Sequence, residues 1–367
     1  MKNISTHNIG RYQYSISKLF TKESNQQITL DSINISASHT HTSERPSPAD
    51  NFQSKMNTPR PCGCKGCRTC LICENDYKLN EKMENCYTYC PCCDKAWEGW
   101  NGDSYTSHPN HSGNFISFPG VFIKLDFISE GEEEVLMNGI DEMPWDLSQS
   151  GRKKQNFGPK TNFKKKKLRM GDFKGFPEFS RFVQEKFHHI PILNNYRSIE
   201  QCSLEYDPAR GASIDSHIDD CWVWGERIVT VNCLSDSVLT MTPYKGDLNK
   251  YNLLECSTYR RVVNDNGQLI DDVGLAPPTC VDEDMEMRDI TVRIPMPRRS
   301  LLVLYGRARY NWEHCVLRED ITSRRVCIAY REFTPPFLPG GDWENEGSEI
   351  LDAANSFWNH RYVDKGC

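Results

Sequence analysis

Six short apolar runs, at 199–206, 227–234, 237–242, 289–295, 300–305 and 324–334, limit what this chain can fold into more than any other feature. All are of strand length. They follow a stretch with helical signals. Ser129 stands before Glu130, Glu132, Glu133 and Glu134, a capping serine with acids in the first turn. Within Pro177–Phe187, Phe179, Phe182, Val183 and Phe187 recur at helical spacing. Val121–Ile128 reads as a further strand. Short strands after a helical preface predict a mainly β, α+β protein, a sandwich or jelly roll with helices packed outside. Between strands, 244–288 is a long polar insert, with eight acids and one arginine in 265–289, predicted to be a mobile surface loop. Residues 343–360 predict a terminal helix.

Chemistry concentrates at His217-Ile-Asp219 and at His314. Alternate residues of a strand share a face. His217 and Asp219 therefore point one way and Asp220 the other, which makes Asp219 the better ligand. With 10 histidines and 50 acids in 367 residues, one His-x-acid pair is expected by chance, so the pair alone has a competing reading as a surface histidine beside acids. Two histidines and one carboxylate on one face of an octahedral ion leave three positions open, the facial triad of non-haem Fe(II) oxygenases. Beginning eleven residues past His314, Arg325 and Arg331 lie on one face of a strand, with Cys327 and Ala329 between them. Six residues span roughly 20 Å, about the length of a five-carbon diacid with two arginine arms. A guanidinium grips carboxylate bidentately and keeps its charge. The bland alternative is two exposed arginines on a sheet edge.

Nine of the 17 cysteines crowd into 62–93, spaced Cys62-x-Cys64-x2-Cys67-x2-Cys70-x2-Cys73 and then Cys86-x3-Cys90-x-Cys92-Cys93. Thiolates two residues apart can grip one tetrahedral ion, and structural zinc takes four ligands. In a chain without a secretion signal the metal reading outweighs disulfides. Nine cysteines allow one site or two.

The remaining composition bounds the surroundings. In residues 1–60, 26 are Ser, Thr, Asn or Gln, which with the 38% hydrophobic content of the chain predicts a disordered N-terminal region. Residues 1–22 hold four Lys/Arg and no acid, the composition of a mitochondrial presequence. No stretch reaches the roughly 18 apolar residues of a membrane helix, so a soluble protein is expected. Residues 152–169 carry nine Lys/Arg interleaved with Phe157 and Phe163, a segment suited to phosphates and bases. The alternatives are a solvated loop and a nuclear-import signal in Lys164–Lys167. The net charge of −6 speaks against a nucleic-acid coat. An acidic protein would attract the same patch.

The order His217-x-Asp219, His314, Arg325-x5-Arg331 resembles the AlkB-type Fe(II)/2-oxoglutarate dioxygenases. The likeness extends through Ser300–His314 and through Gly151–Lys160, which is similar to the family's substrate lid. Cys62–Glu74 and Asp219–Arg227 most resemble one animal subfamily, the fourth AlkB homologue. It runs from about residue 61 to 360.

This resemblance implies a double-stranded β-helix (jelly-roll) oxygenase core at 115–340, behind a Cys-rich zinc module at 61–95 and before a helix and tail at 341–367. Fe(II) would be held by His217, Asp219 and His314. Arg325 would pair with the distal carboxylate of 2-oxoglutarate, helped by Tyr206, and Arg331 would sit toward the chelating end. Leu204 stands where the family carries asparagine, and two extra residues separate Pro208 from His217. Zinc would fall to Cys62, Cys64, Cys70 and Cys73, and the lid to Arg152, Lys153, Phe157, Lys160 and Phe163. Trp222 and Trp224 either wall the pocket or fill the core. The implied reaction is oxidative N-demethylation with O2 that releases formaldehyde and succinate. Its implied target is monomethyl-lysine on actin, with actomyosin and cytokinesis as the setting, in cytoplasm and nucleus. N6-methyladenine in DNA is the alternative. A reading of another class is an inactive zinc-module interaction protein.

Overall fold

The computed structural model describes residues 85–279 and 289–359. The described chain opens with strands β1 (Cys86–Cys90), β2 (Lys95–Glu98), β3 (Phe115–Ser117) and β4 (Val121–Lys124), then helix α1 (Glu130–Asp141). Short strands β5 (Asp146–Leu147), β6 (Lys153–Phe157), β7 (Lys160–Asn162), β8 (Lys167–Arg169) and β9 (Phe176–Pro177) lead to helix α2 (Arg181–Phe187). Next come β10 (Glu200–Tyr206), β11 (Ile214–His217), β12 (Trp224–Cys233) and β13 (Ser237–Pro243). Beyond the insert lie β14 (Thr291–Met296), β15 (Leu301–Leu304), helix α3 (Gly306–Tyr310), β16 (Trp312–Val316) and β17 (Arg325–Phe333). Helix α4 (Glu344–Ala354) and β18 (Phe357–Trp358) follow.

The first sheet orders β11-β16-β13-β14-β1-β2-β3 and the second β4-β15-β12-β17-β10-β6-β5. From β10 to β17 the chain crosses between the sheets at every step except β13 to β14, which pair side by side. That alternation fits a jelly roll. The apolar alternation of β17 shows how it closes. Cys327 joins Leu239, Met241, Val292 and Leu302 in a core shared by both sheets. Val326, Ile328 and Tyr330 face the other way, against Leu136 and Ile140 of α1 and Val183 and Phe187 of α2. No helix among the described residues is long and apolar enough to cross a membrane.

Ser129 caps α1 as its sequence predicts. Its hydroxyl accepts from Glu132 N at 3.2 Å, and Glu132 Oε2 accepts from Ser129 N at 2.7 Å. Such a reciprocal box satisfies two donors that the first helical turn leaves over. Ser129→Ala is expected to lower unfolding stability by about 1 kcal/mol, as read by urea denaturation.

Several expectations change. The strand predicted to reach Ile128 stops at Lys124, because Asp126 takes the left-handed φ of 48°. The helix predicted for Pro177–Phe187 begins as a 3-10 turn and is α only from Arg181. The insert is no loose loop over its described part, 244–279. Leu253 and Cys256 pack with Ile218, Cys221 and Tyr310 directly beneath the His217–Asp219 segment. The boundary at residue 95 does not hold either. Cys86–Cys90 pairs with β14, Thr88 opposite Arg293, so this end of the Cys-rich stretch belongs to the jelly roll. The terminal helix expected within 343–360 does form, as α4, and it buries Ile350, Leu351 and Ala354 in the main core. Residues 1–60 and the cysteines at 62–73 lie outside the described residues.

Candidate metal and cosubstrate site

Antiparallel pairing of β11 with β16 sets His217 opposite His314. Opposed residues on adjacent strands bring their side chains together, and here the ring centroids are 4.3 Å apart. The strand ends at His217, so Asp219 lies in irregular backbone and not on the shared strand face that alternation predicts. Its carboxylate nevertheless returns to the histidines. Asp219 Oδ1 is 3.9 Å from His217 Nε2, and one ligand atom from each of the three residues lies within 4.8 Å of the others.

Two arginines enforce that return. Buried Arg309 of α3 donates Nη1 to Asp219 O at 2.8 Å and Nη2 to Trp224 O at 3.2 Å, pinning both ends of the loop. Arg331 of β17 donates Nε and Nη2 to the Asp219 carboxylate at 3.0 and 3.1 Å, and Nη1 to Glu200 Oε2 at 2.5 Å. Asp220 has a different job. It accepts from Trp222 N at 2.9 Å and from Asn252 Nδ2 at 2.8 Å, tying the loop to the insert.

The electrostatics suit a cation. Burial opposes a charge on Asp219, but Arg331, His314, His217 and Arg309 outweigh it and hold the carboxyl well below the usual carboxylate range. Burial, with His217 alongside, pushes His314 down to about 3. Near neutral pH the site thus presents an ionised carboxylate and a neutral His314, the forms that ligate metal. His217 Nδ1 lies 2.8 Å from Asp215 O. A carbonyl only accepts, so this contact puts the proton on Nδ1 and makes Nε2, which faces Asp219, the ligating nitrogen.

Across the β10–β17 pair, Tyr206 stands opposite Arg325. The guanidinium lies 4.9 Å from the Tyr206 ring centroid. Arg325 is buried. Its Nε donates to Asn232 Oδ1 at 2.6 Å, and its Nη1 is buried without a hydrogen-bond partner. An unmet donor on a buried cation calls for an anion. Asn232 is held in turn by donating to Met296 O at 2.8 Å and Ser235 O at 2.9 Å.

The basic segment divides. Arg152, Lys153 and Phe157 stand apart from the exposed hairpin. β6 pairs with β10, Arg152 is buried 5.9 Å from the Tyr206 ring centroid, Lys153 ion-pairs with Glu205 at 3.4 Å, and Phe157 packs edge-on to Trp358. Lys160 and Phe163 do project, on the β7–β8 hairpin. Phe163 meets Trp224 edge-on at 6.1 Å, and Trp224 lies 5.6 Å from the Arg331 guanidinium. Trp224 therefore borders the site, whereas Trp222 packs in the core against Phe337 and Trp343.

Sequence reasoning missed Asn232, Arg309 and Glu200. Asn232 carried a signal, being a polar residue within the apolar run 227–234. Arg309 is one of several arginines in 298–309, with nothing local to separate it from its neighbours.

No family model matches the chain. It is 42% identical over 311 residues to mouse alpha-ketoglutarate-dependent dioxygenase alkB homolog 4, covering 83% of this chain and 97% of that protein. The human protein of the same name is 42% identical over 302 residues, 81% of this chain and 94% of that one. A Caenorhabditis elegans DNA N6-methyl adenine demethylase is 30% identical over 319 residues, 80% of this chain and 94% of its own length.

Proposed function

The chain belongs to the AlkB family of 2-oxoglutarate-dependent dioxygenases, and from that premise we propose that it removes the methyl group of monomethyl-lysine on actin. The observation that carries the chemistry is the convergence of His217, Asp219 and His314 beside a buried arginine with an unmet donor. The donor set fits Fe(II), and Arg325 with Tyr206 fits the far carboxylate of a five-carbon diacid. Fe(II), when bound, supplies the oxidation of an N-methyl group by O2 at the expense of 2-oxoglutarate.

The residues supply the rest. His217 Nε2, His314 and Asp219 would hold the metal, leaving positions open for ligands. Arg331 fixes the Asp219 carboxylate, and Arg309 fixes the backbone beneath it, so the ligand is preorganised before metal arrives. Arg325, itself held by Asn232, orients the cosubstrate. Trp224 and Phe163 wall the approach on the hairpin side.

One support for a protein target is an exposed basic hairpin, Lys164–Lys167, that an acidic surface would attract. The C. elegans relative supports the second reading, N6-methyladenine in DNA. Product analysis on monomethyl-lysine actin and methylated DNA in one buffer separates them. Formaldehyde and succinate with actin are expected, and turnover of the DNA alone would replace this reading with the second.

The hairpin gives a further expectation. Lys164, Lys165 and Lys167 replaced together by glutamate should raise KM for the macromolecular substrate about tenfold, since steering charges change encounter. The kcat and the KM for 2-oxoglutarate should hold.

A further inference from the structure

We infer that Cys90, Cys93, His108 and His111 form a closed, structural zinc site at the edge of the first sheet. The argument begins with the turn. Cys90 ends β1, residues 91–94 reverse the chain into β2, and Cys93 N donates to Cys90 O at 3.4 Å. A Cys-x2-Cys reversal of this kind turns both thiols to one side. The other pair arrives from the excursion between β2 and β3. His108 follows a 3-10 turn over Ser104–Ser107, and His111 lies three residues on.

The two pairs converge. One ligand atom from each of the four residues lies within 4.8 Å of the others, and His111 Nε2 is 3.2 Å from Cys90 Sγ. Tetrahedral zinc, with bonds of about 2.3 Å to sulfur and 2.0–2.1 Å to nitrogen, sets neighbouring ligands roughly 3.5 Å apart. The His111 ring is also held in place, stacked on Trp97 with centroids 4.7 Å apart. Cys90 is buried, Cys93 and His111 are half-buried, and His108 reaches in from the surface.

Two thiolates and two imidazoles favour zinc, and four protein ligands leave no position open for substrate or water. The site is therefore structural. It clips the long excursion of residues 99–114 to the β1–β2 hairpin, and through β1 to β14. None of its ligands belongs to the iron trio or to the cysteines at 62–73.

Zinc content of the full-length chain tests this by difference. His108→Ala with His111→Ala should remove one equivalent of zinc relative to the unsubstituted protein, and Cys92→Ser, altering the exposed neighbouring thiol, should remove none. The same pair of histidine changes should leave the iron content unaltered. Unchanged zinc in the double variant overturns the inference. If that variant does not fold, zinc-edge X-ray absorption on a chain with Cys62, Cys64, Cys70 and Cys73 all changed to serine decides. Two sulfur and two nitrogen neighbours are expected there; an all-sulfur shell, or no retained zinc, overturns the inference.

Discussion

Asp219→Ala is expected to lose tightly bound iron and to cut formaldehyde release by roughly a thousandfold or more. The metal's stabilisation of charge is worth several kcal/mol, at about 1.4 kcal/mol per tenfold in rate. The fold should survive. Arg309 grips the backbone carbonyl of residue 219, which alanine retains, and Arg331 keeps Glu200. Asp219→Asn isolates charge from shape, because an amide keeps the size and one of the two acceptors facing Arg331 but is a far poorer ligand, and it should fail almost as badly. The control lies one residue away. Asp220 accepts from Trp222 N and Asn252 Nδ2 and never reaches the histidines. Asp220→Asn should cost about 1 kcal/mol of stability and leave iron content and turnover nearly intact. Metal analysis and formaldehyde assay on the three variants read all of this, and a dead Asp220→Asn beside a working Asp219→Ala would reverse the ligand assignment.

The contrast between these neighbours shows what the sequence could express. Alternation named the carboxylate that does gather with the two histidines, but for a geometry that does not occur, since the strand ends at His217. Asp219 reaches the metal face because Arg309 and Arg331, 90 and 112 residues away in sequence, hold it there. Local periodicity carries no trace of such contacts. In β17 the same alternation works, because both faces are buried against different partners and every second residue has a fixed side. The polar insert misled for the opposite reason. Leu253 and Cys256 are sparse in a hydrophilic run, and the apolar side chains of Ile218, Cys221 and Tyr310, distant in sequence, give them something to cover. The basic strand β6 misled similarly, since Lys153 looks solvated until Glu205 of β10 is placed beside it. The cysteine spacing suggested a module apart from the catalytic domain. Its last part is a sheet strand whose partner, β14, comes some two hundred residues later.

Arg325→Lys should raise KM for 2-oxoglutarate about a hundredfold with kcat recovered at saturation. A hydrogen bond to a charged group contributes about 1.5–3 kcal/mol, and lysine, a point charge on a flexible stem, cannot keep the Asn232 contact while presenting two donors to one carboxylate. Loss confined to KM marks binding that is equal in ground and transition states. Asn232→Ala tests whether the guanidinium must be aimed. It leaves Arg325 charged but removes the acceptor that fixes Nε, so KM should rise about tenfold, in line with the loss of one charge-assisted bond. Combined with Arg325→Lys it should add little, because both changes undo one grip and their effects are not additive. Arg331→Lys should behave differently, lowering iron affinity and kcat together, because its partner is the Asp219 carboxylate. Succinate release measured across 2-oxoglutarate concentrations separates the two patterns. A KM unmoved by Arg325→Lys, or a defect that saturating cosubstrate leaves in place, would remove Arg325 from the carboxylate-binding role and leave its buried Nη1 without an assigned partner.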